Sequence, residues 1–246
     1  MTGTERDPGR ARSRLSVVLA SCEGAAYIRE QIESILPQLA PGDELIVSDD
    51  SSTDDTVARV RALADPRIRI LINDERVGYM RNFERCVRAS GGEYLFFCDQ
   101  DDVWLPGKVE VLLQGLQEAE CVATDAEVVD ANLTRLHPSY LALRGTKSFS
   151  PAAIFFKPSI VGATMACRRA FVESLLPFPS GVPHDFWLSL NASLRGELMV
   201  IPRPLILYRR HPRVASLSAT ASRRSLVHVL AERLRILLAL LGMRGT

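Results

Sequence analysis

The chain lacks most of the features that place a protein at a glance. Its 246 residues carry a formal net charge of only +1, which argues against a dedicated nucleic-acid binder, because such proteins need a large basic excess to neutralise phosphates. Cysteine is sparse: Cys22, Cys86, Cys98, Cys121 and Cys167 form no CxxC pair and make an odd total. That excludes a disulfide framework and reads as a reduced, cytosolic chain using thiols as small apolar filler. Met1–Ser13 is polar and Arg-bearing without a hydrophobic segment, so it is expected to be a frayed leader rather than a secretion signal. No internal repeat or low-complexity stretch is visible. Lysine supplies only three of the thirty basic residues, a compositional bias.

What is present is an ordinary globular composition, 47% hydrophobic and 24% charged, enough to bury roughly three quarters of the unfolded surface without staples. The charge is unevenly spread. Residues 203–246 hold nine Arg and one Glu, a balance of +8, and the remaining 202 residues hold 21 basic and 28 acidic groups, a balance of −7.

Short β-branched runs predict buried strands at Leu15–Ala20, Glu44–Ser48, Arg67–Ile72 and Glu93–Cys98. Helical spacing separates them at Ala26–Leu39, Thr53–Leu63 and Met80–Ala89. Such alternation predicts βαβ units, an α/β fold with a mostly parallel, Rossmann-like sheet flanked by helices, and ligands beyond the carboxyl ends of the strands. After Pro106 the rhythm loosens. A helix is expected at Lys108–Glu118, a strand within Cys121–Val129, an irregular stretch at Asn132–Ser150, a helix at Pro183–Arg195, and short strands at Leu198–Ile201 and Leu205–Tyr208. The expected division is one domain over 14–222, with a nucleotide-type half (14–105) and a smaller half that completes the site (106–222), followed by a basic amphipathic helix over 223–246.

Polar clusters directly after strands carry the chemistry. Ser48-Asp49-Asp50-Ser51-Ser52-Thr53-Asp54-Asp55 follows the second strand. Part of it is a helix cap, and the Asp49–Asp50 pair suits acceptors for base N–H or ribose hydroxyls. Asp99-Gln100-Asp101-Asp102 follows the fourth strand. Three carboxylates so close repel one another unless a cation or donors compensate, and hard oxygen ligands at this density suit Mg²⁺ or Mn²⁺; an acidic turn with Asp102 as a helix cap is the structural reading. Pro183-His184-Asp185-Phe186-Trp187 opens a helix, where Asp185 serves as cap or base. Tyr208-Arg209-Arg210-His211 follows the last short strand, with His211 either structural or a ligand.

In this order, LSVVLASCEGAAYIREQIESIL, ELIVSDDSSTDDT, EYLFFCDQDDVWLPGK, PHDFWLSL and LYRRH resemble the family 2 glycosyltransferases, inverting enzymes of the GT-A fold, over residues 15–212. DQDDVW and HDFW look most like the bacterial rhamnosyltransferase-like branch, which builds surface polysaccharides. The resemblance implies a nucleoside-diphosphate sugar held by Ala20, Ser21, Cys22, Asp49, Asp50, Arg81, Asn82, Asp99 and Gln100. It further implies a divalent ion on Asp99, Asp101 and His211, Asp185 as catalytic base, and His184 and Trp187 toward a saccharide or lipid-linked saccharide acceptor. Departures from the family pattern are Ser51 where Gly is usual, Cys22-Glu23 where Tyr-Asn is common, and Pro212-Arg213-Val214 where Gly-Asn-Asn often follows.

Two rivals stand beside this reading. FFCDQDDV also fits the strand–DxDxV pattern of haloacid-dehalogenase-like phosphatases, with Asp99 as nucleophile, although that family puts the motif on its first strand. A non-catalytic nucleotide-sugar binder is the other. In the tail, Leu226, Leu230, Leu234, Leu237, Leu238 and Leu241 share a helical face with Arg223, Arg224, Arg233 and Arg235 nearby. Its apolar runs are too short to span a bilayer. The face is expected to pack on the core, form a homodimer contact, or lie on the inner face of the plasma membrane.

Overall fold

The structure, a computed structural model, describes residues 15–211 and 226–242. Strands β1 (Leu15–Ser21), β2 (Glu44–Asp49), β3 (Ile68–Ile72) and β4 (Tyr94–Cys98) alternate with helices α1 (Ile28–Ile35), α2 (Thr56–Arg61) and α3 (Tyr79–Ala89). Then come β5 (Val103–Trp104), α4 (Lys108–Gly115), β6 (Cys121–Val129), β7 (Arg135–His137), α5 (Tyr140–Leu143) and α6 (Pro151–Phe156). The described chain ends with β8 (Met165–Arg168), α7 (Arg169–Glu173), α8 (His184–Leu194), β9 (Leu198–Arg209) and α9 (Leu226–Leu240).

The period-2 alternation of the strands sorts the core into two layers. Val17, Leu19, Phe96 and Cys98 point to the side covered by Ile28, Ile32 and Ile35 of α1 and Leu112 of α4. Val18, Leu95 and Phe97 point to the side covered by Phe83 and Val87 of α3 and Phe186, Leu188 and Leu190 of α8. All five cysteines are free thiols, and only Cys22 is not buried.

Among the described residues one 9-stranded sheet runs β3-β2-β1-β4-β8-β6-β9-β5, with β7 on β6. It is mixed rather than mostly parallel, which corrects the expectation. β1 is parallel to β2 and β4, β2 to β3, and β6 to β9. β8, however, runs antiparallel to both β4 and β6, and β5 antiparallel to β9. The reason is the connection. β8 is reached through an excursion carrying β7, α5 and α6, not through a single crossover helix that would return the chain in the same direction.

Three further expectations change in detail. The two short strands near the end are one strand, β9, whose pairing with β6 slips around Asp125 opposite Pro204, since proline has no amide to donate. The stretch 132–150 contains β7 and α5. Asp102 caps no helix: it precedes β5, and α4 begins at Lys108 behind Gly107, whose φ of 84° is left-handed.

The C-terminal helix docks by the face opposite Leu234, Leu237 and Leu241. Ile236 is fully buried and Glu232 nearly so, and the Arg233 guanidinium lies 4.6 Å from the Phe186 ring centroid and 5.5 Å from that of Phe155. Leu234, Leu237 and Leu241 are 56%, 47% and 73% exposed, so these three do not pack on the described core. Arg223, Arg224, the leader and the side chains of Leu226 and Leu230 lie outside the described residues.

Phe97 is fully buried, with its ring against Phe83 and His184. Phe97→Ala should therefore destabilise the chain by about 3–5 kcal/mol, read from the urea midpoint.

Candidate active site

Parallel pairing sets the ends of β1 and β2 side by side, with Ser21 opposite Asp49. Asp49 is fully engaged inside the protein. Its Oδ1 accepts from the Ser21 and Ser52 hydroxyls at 3.0 and 2.6 Å, and its Oδ2 from the Ser52 amide at 2.8 Å. The intervening Ser51 has φ 56°, the left-handed conformation that glycine adopts without steric cost. Asp50 is buried and accepts from Asn73 Nδ2 at 2.9 Å and from the amides of Val77 and Gly78 at 2.8 and 2.9 Å. Asn82, on α3, donates from Nδ2 to the carbonyls of Ser21 and Ser48, and its Oδ1 accepts from Asn73. Arg81 is exposed on the same helix, and Ala20 is half-buried at the end of β1. An open cavity of about 470 Å³ beyond β3 is lined by Ile72, Asn73, Asp74, Glu75, Val77 and Arg85.

Gln100 reaches back across the sheet to the first loop. Its Oε1 accepts from the Cys22 amide at 2.8 Å, and its Nε2 donates to the Cys22 carbonyl at 3.0 Å. A Cβ on Gly24 would lie 2.2 Å from that Oε1, so the close approach requires glycine. The Glu23 amide donates to Ser52 Oγ, and its carboxylate accepts from the Thr53 amide and hydroxyl and pairs with Arg76. The first and second loops are thereby one rigid unit.

The carboxylates after β4 meet basic side chains from the end of β9 and the start of α4. His211 Nε2 is 2.9 Å from Asp101 Oδ2. Arg209, at the end of β9, donates from Nε to the Asp101 carbonyl at 2.7 Å and from its amide to Asp102 Oδ1 at 3.0 Å. Its guanidinium also pairs with Glu30 and lies 4.5 Å from the Tyr27 ring centroid. Lys108 is fully buried, with Nζ 4.1 Å from the Trp104 ring centroid and donating to the Ala163 carbonyl at 2.5 Å. Burial pushes the Asp99 carboxyl up to about 7, with the charges of Asp101 and Asp185 adding and Lys108 opposing. Burial likewise raises Asp102 well above the usual carboxylate range and brings Lys108 down to about 7.

Asp185 stands in the first turn of α8, half-buried. Oδ1 accepts from the Phe186 amide at 2.7 Å and Oδ2 from the Gly162 amide at 3.2 Å. Its charge adds to the upward shift of the Asp99 carboxyl. The expectation that His184 and Trp187 face an acceptor is corrected by their burial. The His184 ring lies 4.2 Å from Phe83 and 5.2 Å from Phe97, centroid to centroid, and burial lowers its pKa. Trp187 is 6% exposed and donates Nε1 to the Leu175 carbonyl. Lys108, Arg209, Gly162 and Tyr27 were not anticipated. Lys108 and Arg209 lie inside the quoted motifs, where only a lysine closing an acidic apolar segment and an arginine at a strand end marked them.

Among the described residues no three His, Cys, Asp or Glu side chains are grouped as a protein-only metal cage. Asp101 and His211 do adjoin, and their oxygen and nitrogen donors suit a divalent ion that completes its shell from phosphate and water.

The model of glycosyl transferase family 2 matches residues 16–176, and the chain belongs to that family. It is 26% identical to the uncharacterized protein MT1568 of Mycobacterium tuberculosis, over 92% of this chain and 75% of that one. It is 28% identical to the dTDP-rhamnosyl transferase RfbG of Shigella flexneri, over 78% of this chain and 71% of that one. The fold is similar to that of Staphylococcus aureus TarS 1–349 in complex with UDP-GlcNAc, with a TM-score of 0.71 at 18% identity over 92% of this chain and 66% of that one. The GT-A-like fold is thus shared. The chain spans from 43% to 75% of the length of the relatives and solved structures it matches.

Asp102 Oδ2 is buried with no hydrogen-bond partner among the described residues. Asp102→Asn keeps the acceptor for the Arg209 amide and removes the charge. A raised folded pKa means that the aspartate's stability falls as pH climbs from the unfolded value through the folded one, whereas asparagine does not titrate. The variant should melt about 2–4 °C higher at pH 8, with the difference vanishing toward pH 4 in a calorimetric series.

Proposed function

We propose that the chain transfers a glycosyl unit from a nucleoside-diphosphate sugar to an acceptor hydroxyl, with inversion at the anomeric carbon, in bacterial cell-surface polysaccharide or glycolipid synthesis. The observation that carries this reading is the Asp185 carboxylate, held in the first turn of α8 by the Gly162 and Phe186 amides, on a chain of family 2. The rhamnosyl relative and the DQDDVW motif favour a deoxysugar donor of the rhamnose type. The phosphatase reading loses its ground, because the DxD stands on the fourth strand of a family 2 fold.

Asp185 accepts the proton of the acceptor hydroxyl as that oxygen forms its bond to the anomeric carbon, and the bond from that carbon to the diphosphate oxygen breaks on the opposite face. The amides of Gly162 and Phe186 hold one orientation of the carboxylate for that transfer. Asp101 and His211 would hold Mg²⁺ or Mn²⁺, with Asp99 beside them. Such an ion, when bound, neutralises charge on the departing diphosphate. On the donor side Ala20, Ser21, Cys22, Asp50 and Gln100 form a loop set rigidly enough to accept a base and ribose, with Asp49 and Asn82 fixing the strand ends behind it. Arg81 contributes positive charge at its rim.

Among the described residues no helix is long and apolar enough to cross a membrane. The outward leucines of α9, in a segment with a balance of +8, support a peripheral contact with an anionic bilayer, which would bring the site to a lipid-linked acceptor.

Release of nucleoside diphosphate from dTDP-rhamnose, UDP-GlcNAc or UDP-glucose, with Mg²⁺ or Mn²⁺ against chelator, tests the reaction. Asp185→Asn should lower turnover by ~10²–10⁴-fold while dTDP or UDP still binds; an unchanged rate removes the base assignment, and no turnover of any donor favours a binding protein. In flotation with phosphatidylglycerol vesicles, the wild type should co-float and the Leu234→Ser, Leu237→Ser, Leu241→Ser triple variant should not. A chain that stays with the soluble fraction and sediments as a dimer assigns the leucine face to a second copy instead.

A further inference from the structure

The short turn before β8 touches both sides of the site. Gly162–Thr164 is closed by the Thr164 amide and hydroxyl, which donate to the Val161 carbonyl at 2.9 and 2.7 Å. Its outward amide, on Gly162, donates to Asp185 Oδ2 at 3.2 Å, and the next carbonyl, on Ala163, accepts from Lys108 Nζ at 2.5 Å. One turn therefore receives a buried ammonium from α4 on its carbonyl side and presents an amide to the carboxylate on α8.

The turn also has no room to shift. A Cβ on Gly162 would lie 2.5 Å from His184 Nε2, 3.0 Å from its Cε1 and 3.6 Å from Asp185 Cβ. His184 cannot withdraw, because Phe83 and Phe97 pack against its ring and Phe178 lies 6.4 Å away, centroid to centroid. The imidazole thus acts as a flat spacer, which accounts for its place in the core next to the carboxylate expected to do chemistry.

We propose that the Gly162–Thr164 turn is a positioning element for Asp185, latched by Lys108, with Gly162 the residue whose missing side chain sets the orientation of the carboxylate. The proposal rests on the assignment of Asp185 as base. A carboxylate held by two amides has one orientation toward an acceptor, and small misplacements of a reacting group are costly in rate rather than in donor binding.

Gly162→Ala should lower kcat by about 10–100-fold, with donor KM and the affinity for the free nucleoside diphosphate within about twofold of wild type. In an Asp185→Asn background the same substitution should cost nothing further, because the group it displaces is gone. Thr164→Val, which loosens the turn without filling space, should give a smaller loss of the same kind and covers the case in which Gly162→Ala fails to fold. Amide hydrogen exchange reads the contact without any substrate: Asp185→Ala should speed exchange at Gly162 by about tenfold or more and leave the Thr164 amide as it was. Wild-type kcat in both turn variants while Asp185→Asn abolishes transfer overturns the proposal alone. So does an equal loss from Gly162→Ala in the Asp185→Asn background, or unchanged exchange at Gly162. Unchanged transfer in Asp185→Asn overturns the base assignment, and the exchange measurement then still decides whether Asp185 holds the turn.

Discussion

Like charges crowded into a poorly solvated corner repel, and this chain places Asp99, Asp101 and Asp102 together where a wholly buried strand ends. Burial and neighbouring charges raise the carboxyls of Asp99 and Asp102 above the usual carboxylate range. The fold answers this crowding with basic side chains and hydrogen-bond donors drawn from distant places. Lys108 enters from the start of α4, and Arg209 and His211 come from the end of β9. Arg209 is nearly inaccessible, and its guanidinium donates to the Asp101 and Ala131 carbonyls and pairs with Glu30.

The opposite wall of the crevice is built by saturation rather than by charge. Asp49 and Asp50 each accept three hydrogen bonds, most of them from loop amides and hydroxyls, and Asn73 and Asn82 link them to α3. Gln100 joins this wall to the acidic one through both polar atoms of its amide. A network so fully satisfied holds its loops in one arrangement before any ligand arrives, which lowers the ordering cost of binding.

Much of the first half was legible in the sequence because each element there announces itself locally. Ile28, Ile32 and Ile35 mark a helix face, and β-branched runs mark strands whose carboxyl ends point at the polar clusters. The order of those clusters was enough to suggest the family. The second half was less legible for equally physical reasons. Four residues, Met165–Arg168, carry no direction, so the antiparallel entry of β8 could not be read. A prolyl bulge split β9 into two apparent strands. His184 and Trp187 sit in a motif beside Asp185, but helical geometry turns them inward, where Phe83, Phe97 and Leu175 receive them.

The sequence by itself determined which residues are carboxylates at strand ends, the alternating pattern that puts them there, and the division into an acidic body and a basic tail. Those are local facts, fixed by periodicity and composition. Only the tertiary structure decided which groups meet, because Lys108, the Gly162–Thr164 turn and Asp185 are separated along the chain and touch only through the packing of α4 and α8 around β4 and β8. It also decided that the tail helix turns Leu234, Leu237 and Leu241 outward, since burial of Ile236 and the placement of Arg233 over Phe155 and Phe186 claim the other side.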